Sequence, residues 1–314
     1  MLNDLGVRSG PLVSVVLATR DRPSFLRIVL GCYRYQTYPW RELVVVDSGE
    51  ARPVDAEAVA AAGGRVIRVE PGLPLGAKLN RGVREAQGRV CLKIDDDDWY
   101  APDFVERLLA AIQDNRKVVC RPALAFLRPF VFFDLLRWEL RRSAAFHMSG
   151  ATMLFERDSW EERPFREIVN HEDGWFVRDQ ARLGVQLLPV EAPETYLAVR
   201  HRGGALDRGH TWARRWDGQP VEVALLEQPL YGQPPEALLP SWAVRAYREL
   251  RAESLGLAGR LPVDRPQTLP DSDARRASGP DPRGRTASSR LGLVGAHREC
   301  WVPATPRLGP TTAR

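Results

Sequence analysis

Arg89-Val90-Cys91-Leu92-Lys93-Ile94-Asp95-Asp96-Asp97-Asp98-Trp99-Tyr100 is a short, largely apolar run followed by four consecutive carboxylates. Val90 to Ile94 has the composition of a strand entering a core. Pro102, with Phe104, Val105, Leu108, Leu109 and Ile112, has the spacing of an amphipathic helix leaving it. Four adjacent anions repel one another, so a chain that sets them at the end of a buried strand needs something cationic there. Open α/β sheets bind ligands at the carboxyl ends of their strands, and hard carboxylate oxygens suit Mg²⁺ or Mn²⁺ carrying a substrate's phosphates. The alternative is a solvated acidic turn that caps the following helix.

Upstream of this stretch, the residues alternate between strand and helix. Leu12 to Ala18 is a continuous apolar run of the kind buried in a parallel sheet. Thr19-Arg20-Asp21-Arg22-Pro23 makes a turn, and Phe25, Leu26, Ile28, Val29 and Leu30 then follow helical spacing. A second strand, Glu42 to Val46, ends in Asp47-Ser48-Gly49. A third, Arg65 to Val69, leads through a Pro/Gly loop to a helix from Ala77 to Ala86. Strand, helix, strand, helix at short spacing predicts a doubly wound, mostly parallel sheet with its carboxyl-end loops along one edge. Those loops carry Thr19, Arg20, Asp47 and Lys78 beside the acidic run, the composition of a nucleotide pocket.

Length and 44% apolar residues suffice for one sizeable α/β domain. The chain shows neither a signal-peptide pattern nor about 18 uninterrupted apolar residues, so the expectation is a cytoplasmic protein without a membrane span. Cys32, Cys91, Cys120 and Cys300 have no CxxC spacing and read as packing residues. The net charge of +5 resides wholly after residue 259, where ten Arg face five Asp or Glu. The neutral body argues against nucleic acid as a partner. Residues 260–314, rich in Pro, Gly, Ser and Arg, read as a disordered basic tail.

Four motifs in order, Val15 to Pro23, Leu43 to Gly49, Lys78 to Gly82 and Ile94 to Trp99 with Pro102, resemble the donor half of a family 2 glycosyltransferase of the GT-A fold. The resemblance covers about residues 11 to 230. It implies a Rossmann-like catalytic domain over 11–235, divided into a nucleotide-sugar half (11–118) and an acceptor half (119–235), with a closing helix over 236–259. It further implies nucleotide-sugar contacts from Thr19, Arg20, Asp47, Lys78, Asn80, Asp95 and Asp96, and a Mn²⁺ or Mg²⁺ ion held by Asp95 and Asp97. The donor would be a UDP-, GDP- or dTDP-sugar. Arg20 and Asp21 replace the family's usual aromatic residue and Asn, which leaves the nucleotide open. Lys93, where an apolar residue is usual, either reaches a phosphate or pairs with a neighbouring carboxylate. The Q-x-x-R-W signature and flanking membrane helices of processive synthases are absent from the sequence, which implies single sugar transfer.

In the second half, His147 to Phe155 reads as a small-residue turn into a strand. Glu172-Asp173-Gly174-Trp175-Phe176 opens a helix that stops at Gly184. Glu-Asp-x-x-Phe is similar to the family's second acidic motif, implying a catalytic base at Asp173, or at Glu172 if the register shifts by one. An alcohol attacks a sugar carbon poorly unless its proton is removed. Helix capping is the competing explanation. Tyr196 to Arg200 forms a strand into a loop ending His210-Thr211-Trp212, and His201 is a candidate third metal ligand. The aromatic, basic-punctuated stretch Phe126 to Trp138 either covers the core or rests peripherally on the inner face of a membrane to reach a lipid-linked acceptor.

The expected activity is thus metal-dependent, inverting transfer of one sugar to an acceptor hydroxyl. Two rivals remain at the level of sequence. A sugar nucleotidyltransferase would carry a Gly-rich phosphate loop after the first strand, where Thr19 to Pro23 has no glycine. A non-catalytic sugar- or RNA-binding protein would act through its basic tail.

Overall fold

A computed structural model of the chain describes residues 10–119, 121–145, 147–201, 225 and 228–257. The expected tail, Cys120, Cys300 and His210-Thr211-Trp212 lie outside the described residues.

The first part of the chain forms β1 (Val13–Thr19), α1 (Pro23–Arg34), β2 (Arg41–Asp47), α2 (Ala56–Ala61), β3 (Gly64–Arg68), α3 (Leu75–Glu85), β4 (Val90–Ile94), β5 (Trp99–Tyr100) and α4 (Phe104–Val118), the expected strands and helices in their expected order with α2 and β5 in addition. Pro23 occupies the first turn of α1, where its missing N–H costs nothing. The Asp55 side chain accepts from the backbone N–H groups of Glu57 and Ala58 to start α2. The second part contributes β6 (Ala123–Leu127), β7 (Val131–Asp134), β8 (Glu139–Arg142), a 3₁₀ turn (Gly150–Thr152), β9 (Leu154–Glu156), α5 (Arg157–Glu162), α6 (Glu172–Arg182), β10 (Gln186–Val190) and β11 (Tyr196–Arg200). The closing helix, α7, runs from Ser241 to Leu257, because Pro235 to Ala237 forms a separate 3₁₀ turn before it.

Seven strands make the main sheet in the order β10-β6-β9-β4-β1-β2-β3. All its pairings are parallel except those of β9, which runs antiparallel to both β4 and β6. Because strand side chains alternate, Val13, Val15 and Leu17 enter a core with α1, α4 and α7, while Val16 enters a second core with Leu79 and Val83 of α3, Trp160 of α5 and Phe176 of α6. This is the doubly wound α/β architecture expected, with a second sheet, β5-β11-β7-β8, added beside it. The stretch 126–138 supplies the end of β6, all of β7 and the turns beside them, and its Phe126, Leu127, Phe130, Val131, Phe133 and Leu135 are buried in the two cores. No helix among the described residues is long and apolar enough to cross a bilayer.

Register fixes what meets at the sheet edge. Thr19 lies opposite Asp47, Leu17 opposite Ile94, and Asp47 opposite Arg68. The ends of β1, β2 and β4 therefore release their loops side by side.

Candidate active site

The four carboxylates after β4 diverge: Asp96 and Asp97 share one guanidinium, while Asp95 and Asp98 turn to separate partners. Asp95, 41% exposed at its side chain, pairs with Lys93 Nζ at 2.6 Å. Asp96 accepts from Thr19 Oγ1 at 2.6 Å and from Arg22 Nη1 at 2.8 Å. Asp97 Oδ2 accepts from the same Arg22 Nη1 at 2.8 Å and meets His201 Nε2 at 3.0 Å. Asp98 accepts from the Tyr196 hydroxyl and from the Val199 N–H, which ties the turn to β11. Burial, with the charges of Asp97 and Asp95, pushes the Asp98 carboxyl well above the ordinary range. Burial opposes the charge of the Arg22 guanidinium, but Asp96 and Asp97 outweigh it and raise its pKa.

Arg22, at the head of α1, is thus a cation that the chain itself supplies to the acidic run, where the sequence points to a divalent metal and gives Arg20 only as a nucleotide-sugar contact. The available signal was Pro23: by fixing the first turn of α1 it sets the direction in which Arg22 leaves the loop. Arg20 itself is 36% exposed at its side chain and stands 3.8 Å from Asp21 and 3.9 Å from Glu50. Asp21, at a left-handed φ of 53°, accepts the backbone N–H groups of Glu50, Ala51 and Arg52 through one oxygen.

Among the other expected donor contacts, Lys78 sits at the sheet edge, its Nζ donating to Ser48 Oγ at 3.2 Å. Asp47 is fully buried, taken up by Arg68 and by the N–H groups of Gly49 and Val54, so it holds its own loop closed. Asn80 is not brought to the site: its side chain donates to the Phe165 carbonyl and accepts from Trp160 Nε1 and the Phe165 N–H, clamping the segment after α5. That segment crosses the start of α3, where a Cβ on Gly76 would stand 1.8 Å from the Arg166 carbonyl oxygen.

The expected metal set of Asp95, Asp97 and His201 is brought together only in part. Among the described residues no group of three or more His, Cys, Asp and Glu side chains is arranged to hold a metal ion. Lys93 draws Asp95 toward the acceptor side, leaving Asp97 and His201 as the pair that meets, the imidazole resting on Phe25 with ring centroids 4.0 Å apart. A carboxylate and an imidazole are both ligand types that a divalent cation accepts, though here they meet each other and the carboxylate also meets Arg22.

The second acidic motif opens α6 beside this edge. His171 precedes it at a left-handed φ of 64°. Glu172 is 4% exposed and stands 3.9 Å from Lys93 Nζ, so one buried ammonium lies between Asp95 and Glu172. Asp173 is half-buried, with Oδ1 accepting the N–H of Gly174 at 2.6 Å and the rest of its carboxylate lying against Gly150.

Burial raises the Glu172 carboxyl from 4.5 to about 7; Lys93 opposes this, while Asp173 and Asp95 add to it. A carboxyl raised on folding keeps a proton that the unfolded chain releases. Its contribution to stability is present below about pH 4.5 and is lost as pH rises through about 7. The melting temperature of the wild type relative to Glu172→Gln should therefore fall between pH 5 and 7.5. A pH-independent difference would show that Glu172 titrates like a solvated carboxyl.

Residues 14–179 match the family described as Glycosyl transferase family 2. EpsH of Bacillus subtilis (strain 168), which carries a glycosyltransferase name, is 35% identical over 121 residues, 37% of this chain and 35% of that protein. An uncharacterized glycosyltransferase of the same organism, YwdF, is 31% identical over 106 residues, 32% of this chain and 38% of that protein. The matched stretch thus spans little more than a third of the length of these curated relatives. Among solved structures, S. aureus TarS 1-349 in complex with UDP-GlcNAc is similar at 17% identity and a TM-score of 0.47, over 62% of this chain and 60% of that one.

Proposed function

Because the chain belongs to glycosyl transferase family 2, we propose that it moves a single sugar from a nucleotide-diphosphate sugar to an acceptor hydroxyl, by direct displacement with inversion at the sugar C1. The observation that carries this reading is the meeting of the two acidic motifs. Lys93 reaches Asp95 at 2.6 Å on one side and Glu172 at 3.9 Å on the other, so a donor at the β4 turn and an acceptor at the start of α6 would lie next to each other.

In this reading the nucleotide lies along the ends of β1 and β2, beside Thr19, Arg20, Ser48 and Lys78. Asp97 and His201 would hold a Mn²⁺ or Mg²⁺ ion, which when bound neutralises charge on the leaving diphosphate. Asp173 takes the acceptor's hydroxyl proton as the oxygen bonds to C1. The C1–phosphate oxygen bond breaks as that bond forms, and its electron pair leaves with the diphosphate. Lys93 keeps Glu172 and Asp95 from repelling each other across the gap the acceptor must enter. Arg22 does the same for Asp96 and Asp97, so the edge is organised before a substrate arrives.

Calorimetry of UDP-, GDP- and dTDP-sugars, each with and without Mn²⁺, tests the donor part of the reading. One nucleotide should bind at least about tenfold more tightly than the others, a difference of about 1.4 kcal/mol. Absence of binding by all three classes would remove the donor assignment.

A further inference from the structure

The 3₁₀ turn Gly150–Thr152 and the residue before it link to both acidic motifs without contributing a charge, reaching Asp95 and Asp98 through two tyrosine hydroxyls and Asp173 directly. Ser149 Oγ donates to the Tyr196 hydroxyl at 2.9 Å, and that hydroxyl donates to Asp98. The Tyr100 hydroxyl accepts the Asp95 N–H at 2.8 Å and donates to the Ala151 carbonyl at 3.3 Å. Between these two attachments, a Cβ on Gly150 would stand 1.9 Å from Asp173 Oδ2, 2.5 Å from Asp173 Cβ and 2.6 Å from its Cγ.

Gly150 is not among the residues at positive φ, so its backbone does not demand glycine. What the site demands is the missing side chain. Turning the Asp173 carboxylate aside would not make room for one, because the Asp173 Cβ is itself in the way and is fixed to the first turn of α6.

We propose that residues 149–152 form a gauge that sets the distance between the Asp173 carboxylate and the acidic donor turn, with Gly150 the positioning residue on which the base is seated. This deepens the transferase reading and rests on it. A base works within about 2.6–3.2 Å of the proton it takes, and a misplacement of about 1 Å costs about 10²-fold in rate. Hydrogen bonds hold one end of the gauge to Asp95 and Asp98, and contact with Asp173 sets the other. The spacing between donor and base is therefore carried by the turn and its two tyrosine contacts rather than by the substrates.

Gly150→Ala should lower kcat about 10²-fold while the calorimetric affinity for the donor stays within about twofold of wild type. On an Asp173→Asn background the same substitution should add less than about threefold, because the displaced group no longer takes a proton. Asp173→Glu keeps a carboxylate but cannot keep this seat, so it should lose at least about tenfold in kcat; this variant reads the inference even where Gly150→Ala does not fold. Wild-type turnover by Gly150→Ala or by Asp173→Glu, with Asp173→Asn inactive, overturns the gauge and leaves the base assignment standing. A full second loss from Gly150→Ala on the Asp173→Asn background also overturns it, since the effect then does not pass through the base. If Asp173→Asn turns over like wild type, the base assignment fails and takes the gauge with it.

Discussion

Asp173→Asn should turn over about 10²–10⁴ times more slowly than the wild type, the usual contribution of a general base, with donor affinity nearly unchanged. The substitution keeps the size of the side chain and much of its ability to cap a helix, while removing the proton acceptor. It therefore separates catalysis from capping. A cap worth about 1 kcal/mol would appear as a lower melting temperature and leave kcat almost untouched. The structure also separates Asp173 from its neighbour: Asp173 is half-buried at the gap, whereas Glu172 is 4% exposed and turned toward Lys93. Glu172→Gln should accordingly cost less in kcat than Asp173→Asn. If Glu172→Gln is dead while Asp173→Asn is active, the base is Glu172. If both remain active, this motif holds no base.

The parallel strands of the donor half were legible because a strand buried on both faces must be apolar throughout. Val13 to Ala18 and Val90 to Ile94 have that pattern, and their registers place Thr19, Asp47 and Asp95 at one edge. The acidic run was legible as a place needing a cation, but the cation's identity was not. Arg22 and Lys93 supply it from within the chain, and only the fold brings an arginine 75 residues away to Asp97. Asp47 and Asn80 show the converse situation. Both stand in motifs whose family roles face the ligand, yet here their polar atoms close internal loops, because Arg68 lies in register with Asp47 and the chain after α5 crosses back over Asn80. Strands were legible at β9 and β11, but the antiparallel pairing of β9, the grouping of β11 into a second sheet and the two-residue strand β5 were not. Each is short, and its pairing depends on partners far along the chain. Gly150 was visible only as one small residue in a turn, since nothing local records that a side chain 23 positions later fills its missing Cβ.

Asp97→Ala should abolish the Mn²⁺-dependent part of donor affinity, a loss of at least about 100-fold when the ion is present and little change when it is chelated. Asp97 is the carboxylate that meets an imidazole, His201 Nε2 at 3.0 Å, and its partner Arg22 retains Asp96 at 2.8 Å when Asp97 is removed. The buried guanidinium thus keeps an anion beside it, so the variant should fold, and near-native circular dichroism would confirm that the loss is local. His201→Gln should weaken the same Mn²⁺-dependent component by about 10–100-fold, because an amide is a poorer ligand than an imidazole. Asp95→Asn is the discriminating third variant. With Asp95 drawn to Lys93 at 2.6 Å, its loss should disturb the Lys93–Glu172 contact, and so turnover, more than cation affinity. If donor affinity in Asp97→Ala stays at the wild-type level and still requires Mn²⁺, the ion is held elsewhere. The acidic turn would then be an internally neutralised structural junction, with Arg22 and Lys93 as its permanent counter-ions.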